Sequence, residues 1–283
     1  MELNDSLIMF LLAGIILLII IIWIFKNNHA LRLTTYQIKN DKLPESFNQY
    51  RIIHLSDIHN IDYGDNNKII MNQVIKGNPD CIVITGDLID SRKTIPSISL
   101  KLILELIKIS PVYYVTGNHE SRLKIYDQFE IELRQVGVIV LRDEAILLEK
   151  NKQVIQIIGI DDPNFDRSKD RKIVPSVIVD NKLQKLKKDN LFTLLLIHRP
   201  ELFDVYVKNG IDIALTGHTH GGQIRIPFIG GIIAPSQGFF PKYDAGLFQK
   251  SGTNMIISRG IGDSSFPFRI NDNPEVVLIV LNK

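Results

Sequence analysis

The chain has 283 residues, 45% of them hydrophobic and 23% charged, which is enough to bury a large core and too apolar for a disordered chain. Its 33 Lys and Arg against 31 Asp and Glu leave a formal charge of +2, spread along the sequence, so there is no electrostatic footprint for nucleic acid. The single cysteine, Cys81, excludes an internal disulfide framework and, in the apolar run CIVIT, is expected in the core.

In chain order the first element is LIMFLLAGIILLIIIIWIF, residues 7 to 25, without charge or proline. As a helix it spans roughly 28 Å, close to the hydrocarbon thickness of a bilayer, so a transmembrane anchor is predicted over residues 1–25. Glu2 and Asp5 precede it instead of basic residues, and no small-x-small pattern follows Phe25, which argues against a cleaved signal peptide. Trp23 stands where an interfacial aromatic belongs. Lys26, Arg32, Lys39 and Lys42 follow, with no Lys or Arg before, so the positive-inside rule places the rest of this single-pass protein on the cytoplasmic side. Residues 26–49 read as a juxtamembrane linker and residues 50–283 as one folded domain.

From residue 50 apolar runs alternate with amphipathic stretches. YRIIHLSD, CIVITGD, VYYVTGN, TLLLIHR and IDIALTGH are short, rich in β-branched residues and bounded by turn residues, which predicts buried strands. NKIIMNQVIKG, ISLKLILELIKI and LKIYDQFEIELRQVG carry apolar residues at three- and four-residue spacing and predict helices; KLQKLKK at 182 to 188 reads as a solvated helix face. Further strands are expected at 138–142, 145–149, 153–160, 255–258 and 275–281. The pattern predicts two sheets with helices on their outer faces. IPFIGGIIAPSQGFFP, residues 226 to 241, has three glycines and three prolines and is expected to be a loop beside the site, either packed on a sheet edge or facing a bilayer.

The chemistry lies at the strand ends. In order they carry Asp57 and His59, Asp87, Asn118 and His119, His198, and His218 with His220. Ligands in open α/β folds gather at the carboxyl ends of strands, so these residues are expected to converge although they span about 160 positions. Carboxylates, imidazoles and one amide make a nitrogen-and-oxygen donor set for divalent first-row metals, with no thiolate. Their number exceeds one coordination sphere, and two metals sharing Asp87 would accommodate them. In an extended segment positions i and i+2 point the same way, so the pairs 218/220 and 57/59 are each expected to present two ligands together. Gly217, Gly221 and Gly222 are expected to let the backbone come close.

The motifs SDIH, GDLID, GNHE, IHRP and GHTHGGQI, in this order and spacing, resemble the calcineurin-like metallophosphoesterase superfamily over roughly residues 50 to 281. The tail IISRGIGDSSFPFRINDNPEVVLI resembles its membrane-associated bacterial phosphodiesterase branch. The resemblance implies a four-layer αββα sandwich and two divalent ions (Mn, Fe or Zn). One would be held by Asp57, His59, Asp87 and His220, the other by Asp87, Asn118, His198 and His218. It implies His119 as the catalytic histidine, oriented by Glu120. The expected activity is hydrolysis of a phosphate ester or diester by metal-activated hydroxide, with His119 protonating the departing oxygen. Two other readings stand beside it: a UDP-2,3-diacylglucosamine-type pyrophosphatase acting on a nucleotide-linked lipid, and a non-catalytic membrane scaffold with the same fold. Asp90, three positions after Asp87, disfavours a tyrosinate acid phosphatase. Arg199, Arg259 and Arg269 are candidate phosphate contacts, and His54 is expected in the core or behind the ligands.

Overall fold

The computed structural model describes residues 2–64, 67–167, 170, 172–262 and 269–283, and the side chains of these except 2–4 and 24–29. The chain runs α1 (Glu2–His29), β1 (Arg32–Lys39), β2 (Arg51–Leu55), α2 (Lys68–Gly77), β3 (Cys81–Thr85), α3 (Pro96–Leu106), β4 (Val112–Val115), α4 (Tyr126–Gln135) and β5 (Ile139–Val140). It continues β6 (Glu144–Lys150), β7 (Gln153–Gly159), α5 (Asn164–Arg167), α6 (Pro175–Leu186), β8 (Thr193–Leu196), α7 (Phe203–Lys208) and β9 (Ile213–Thr216). The last part holds β10 (Arg225–Ile226), β11 (Gly230–Gly231), β12 (Ile233–Ala234), β13 (Gly238–Phe239), β14 (Gly246–Lys250), β15 (Thr253–Ile257) and β16 (Glu275–Asn282).

Two six-stranded sheets result, ordered β1-β16-β2-β3-β4-β5 and β14-β15-β9-β8-β7-β6. Period-two alternation explains why they stack. Ile52, Val83, Leu194, Leu196 and Leu215 point into the layer between the sheets, with Cys81 among them. Their neighbours Ile53, Ile82 and Ile84 face outward under Ile70, Val74, Leu102, Phe129 and Leu133 of α2, α3 and α4. On the other side Leu195 and Ala214 face Val179 and Leu183 of α6 and Phe203 and Tyr206 of α7. This is the expected four-layer αββα sandwich, and KLQKLKK falls largely on α6 with Leu183 buried.

Two expectations are corrected. Residues 26–49 are no free linker: β1 pairs in parallel with β16 from Arg32↔Glu275 to Lys39↔Asn282, covering its edge, so the folded unit begins at Arg32. The stretch 226–241 is not irregular; β10–β11 and β12–β13 are antiparallel hairpins whose turns, 227–229 and 235–237, each open on a proline, while the glycines stand in the strands. An apolar helix of 19 residues, Asp5–Trp23, is long enough to cross a membrane and none of it is buried against the domain. Residues 263–268 of the tail motif lie outside the described residues.

Candidate metal centre

Each site residue follows a strand that ends in the core. Asp57 lies two residues beyond β2, Asp87 two beyond β3, Asn118 three beyond β4, His198 two beyond β8 and His218 two beyond β9. The extended geometry expected for the 57/59 and 218/220 pairs is not what brings them together. Asp57, His59, Asp87, His218 and His220 all have φ between 46° and 74°, in the left-handed region. A non-glycine there costs about 1–3 kcal/mol, strain the surrounding packing must hold. The glycines make room: a Cβ on Gly217 would stand 2.8 Å from Ser56 Cβ, and one on Gly260 2.7 Å from Asp57 Cβ.

The side chains form two adjoining clusters. Asp57 Oδ1 is 3.3 Å from His220 Nε2, and His59 Nε2 is 3.2 Å from His220 Nε2. Asp87 Oδ2 is 3.3 Å from His198 Nε2, which is 3.2 Å from His218 Nδ1. The donor atoms of Asp57, His59 and His220 lie within 4.8 Å of one another, as do those of Asp87, His198 and His218. Asn118 lines the same groove as Asp87 and His218, and its buried Oδ1 has no hydrogen-bond partner among the described residues. Six of the seven expected ligands thus fall in the two clusters, with Asn118 beside them.

The electrostatics suit a metal. Burial pushes the imidazoles of His59, His218 and His220 down, the first to about 3, so they stay neutral and offer lone pairs. Burial pushes Asp57 up to about 6, with Asp87 beside it adding to the rise against the opposing pull of His198. His198 differs: burial lowers it, but Asp87 and Asp57 overcome that and raise it to about 10 in the metal-free site. His198 Nδ1 donates to Thr85 O at 2.7 Å, which leaves Nε2 facing the cluster, the usual support for a ligating histidine. His54 is a buried support, with Nε2 2.7 Å from Thr85 Oγ1.

His119 lines the groove above the clusters, but Glu120 does not orient it. The Glu120 carboxylate accepts the backbone N–H groups of Gly117, Asp87 and Ile89 at 2.8, 2.9 and 3.1 Å, so it fixes the loops that carry Asp87 and Asn118. Its arm reaches past the ring to the backbone. His119 Nδ1 instead takes the Ser91 N–H at 3.0 Å and stands 3.3 Å from Asp90 Oδ1. Burial opposes the Asp90 charge, but bonds from Arg92 outweigh it and hold the carboxyl at about 2.

The groove has a volume of 670 Å³. Arg122, Arg167 and Arg199 line it with Gln223, and Ile224, Ile233, Ala234 and Pro235 also face it. Of the arginines expected at phosphate, only Arg199 does so; Arg269 is buried behind His220, donating to Arg259 O and Gly262 O. Arg199 is held by Asp162, with Nη2 3.1 Å from Oδ1, and its Nη1 reaches His218 Nε2 and Ser236 Oγ, both at 2.9 Å. Sequence reasoning missed Arg122, Arg167 and Gln223. The only signal was Gln223 beside the glycine pair: its amide is buried, has no partner among the described residues and sits at φ 61°.

Buried carboxylates and neutral imidazoles at the carboxyl ends of two stacked sheets define a metal-dependent hydrolase of phosphate esters. The chain belongs to the calcineurin-like phosphoesterase family, whose model matches residues 50–222. It is 28% identical to the metallophosphoesterase YkuE of Bacillus subtilis over 264 residues, covering 89% of this chain and 86% of that one. It is 26% identical to the phosphodiesterase YaeI of Escherichia coli over 239 residues, 82% of each chain. Among solved structures, TT1561 of Thermus thermophilus aligns with a TM-score of 0.50 at 10% identity, over 74% of this chain and 88% of that one, a likeness of fold.

Proposed function

We propose that this hydrolase is a membrane-anchored phosphodiesterase that works with two divalent ions sharing Asp87. The observation that carries the reading is the placement of that carboxylate: Asp87 Oδ2 stands 3.6 Å from His59 Nε2 in one cluster and 3.3 Å from His198 Nε2 in the other. Asp57, His59, Asp87 and His220 would hold one ion, and Asp87, Asn118, His198 and His218 the second. Bound there, the ions supply Lewis-acid charge for the phosphate oxygens and lower the pKa of the attacking water.

The protein's own residues do the rest. For His218 to ligate through Nδ1, its proton sits on Nε2, where Ser236 Oγ at 3.3 Å accepts it. Arg199 Nη1 must then turn to another acceptor, and a phosphate oxygen in the groove provides one. His119 presents Nε2 to the leaving oxygen; burial lowers its imidazole against the pull of Asp87 and Asp90, and when the ring is protonated Nδ1 turns from accepting the Ser91 N–H to donating to Asp90 Oδ1, 3.3 Å away. As the P–O bond breaks, the proton passes from Nε2 to the departing alkoxide.

The name of the YaeI relative supports a diester, the apolar Asp5–Trp23 helix supports an anchor, and Lys26 and Arg32 after it support a cytoplasmic orientation of the domain. The groove favours a second reading, a lipid-linked nucleotide pyrophosphate of the UDP-2,3-diacylglucosamine type, because arginines share it with Ile224, Ile233, Ala234 and Pro235. The test is turnover of the full chain, in detergent and loaded with Mn²⁺, Fe²⁺ or Zn²⁺, on monoesters, diesters and lipid pyrophosphates. Diester cleavage abolished by chelation is expected. Cleavage of the pyrophosphate alone selects the second reading, and hydrolysis of none contradicts both.

A further inference from the structure

The register of the first sheet fixes where α1 enters the domain. β16 runs antiparallel to β2, with Val277 opposite His54, and β1 runs parallel to β16, starting at Arg32 opposite Glu275. The start of β1 therefore lies at the end of β2 that leads to Asp57. Backbone bonds tie that end together: Glu275 N–H donates to Gly260 O at 3.1 Å, and Gly262 N–H to Asp57 O at 2.7 Å. Between the last residue of α1, His29, and Arg32 the chain can extend about 11 Å at most. Whatever surface the helix leaves thus lies close to the face that carries the metal centre.

The two hairpins stand on the same face. Arg225 N–H donates to Ile270 O at 3.0 Å, Ile232 N–H to Ile224 O at 2.8 Å and Phe240 N–H to Ile232 O at 2.8 Å, so β10–β11 and β12–β13 make one hydrogen-bonded arm. One side of the arm faces the groove through Ile233 and Ala234. Its tips are apolar and open: Phe228 is 109% exposed and Phe239 71%, with Ile229 and Phe240 also out. A cluster of this kind in water is a liability unless a partner covers it. Lys242, exposed just beyond Phe240 with its Nζ 4.8 Å from the centre of the Tyr243 ring, adds a positive charge beside the apolar tips.

We propose that this arm is a membrane-docking element: Phe228, Ile229, Phe239 and Phe240 enter the interfacial layer of the bilayer that holds α1, so that the metal centre opens toward the lipid surface. The proposal rests on the anchored reading above and not on the substrate. Aromatic side chains favour that interface, and a surface-seated apolar element enters it by roughly 5–10 Å.

The test is site-directed spin labelling of the full chain in nanodiscs of phosphatidylcholine and phosphatidylglycerol. Labels are placed singly at Phe228→Cys, Phe239→Cys, Leu12→Cys in the helix, and Ser251→Cys in the turn between β14 and β15; Cys81 is buried and stays unlabelled. Phe228 and Phe239 are exposed, so the variants keep the fold, which a melt of each labelled protein checks. The ratio of collisions with oxygen to collisions with a water-soluble nickel chelate should be at least about tenfold higher at 228 and 239 than at 251, approaching the value at 12. If 228 and 239 match 251 while 12 reports lipid, the arm does not dock and the proposal is overturned with the anchor intact. If 12 also reports water, the anchored reading falls and the docking proposal with it. Turnover of metal-loaded protein, measured separately, leaves the hydrolase reading independent of either result.

Discussion

Gly117→Ala pushes on the carboxylate shared by the two clusters. The Gly117 backbone is not in the left-handed region, so the substitution acts through its added methyl alone. That Cβ would stand 2.5 Å from Asp87 N and 2.8 Å from Asp87 Cγ. Ordinary contact begins near 3.4 Å, so Asp87 must give way by about 0.6–0.9 Å at these two atoms and by more at Oδ1, which stands nearest of all. It has no free direction: its N–H is bonded to Glu120 Oε2 at 2.9 Å, and its Oδ1 accepts the His119 N–H at 2.8 Å. Overpacking of this kind costs about 1–3 kcal/mol of stability. Because Asp87 serves both clusters, kcat should fall on the order of 10–10²-fold, with less metal bound per chain. Cleavage of bis(p-nitrophenyl) phosphate by Mn²⁺-loaded full-length protein, beside elemental analysis and a thermal melt, measures all three. A folded variant with wild-type turnover and metal content would refute the argument that Gly117 is there to leave space for Asp87.

Two further outcomes are expected. His119→Ala should lose on the order of 10²–10⁴-fold in rate on alkyl diesters and less on nitrophenyl esters, whose leaving group hardly needs a proton; equal losses would assign His119 to binding. Asp90→Asn should show the same dependence in weaker form. In the metal-free protein His198 stays protonated up to about 10, and a metal must displace that proton. Affinity for Mn²⁺ should therefore rise with pH between 6 and 8, by up to about tenfold per unit for one proton released. Calorimetry in buffers of different ionisation enthalpy counts the proton, and a pH-independent affinity would contradict the site's electrostatics.

The strand ends carried most of the information about the site, because each buried apolar run must stop where its polar ligand begins. SDIH, TGD, TGN, LIH and TGHTH mark the seven residues expected as ligands, and the fold gathers them at one end of the two sheets. Pattern was silent about how they are aimed: left-handed backbone at Asp57 and His218 leaves no trace in hydrophobic period. The role expected of Glu120 went to Asp90, since reach across a folded loop decides which acid meets the ring, and adjacency in sequence does not. β1 escaped because Thr34, Thr35 and Gln37 break its apolar alternation; it is an edge strand whose partner, β16, lies more than 200 residues away. The hairpins of 226–241 have strands of two residues each, too short for any period to register.

The central claim is that two ions share Asp87, and metal analysis paired with turnover in Asp87→Ala tests it most directly. Reconstituted full-length protein should hold two divalent ions per chain and cleave the diester. The variant should keep the fold, hold at most one ion and show no turnover. Full activity in Asp87→Ala, or in the parent protein after exhaustive chelation, would contradict the two-metal account.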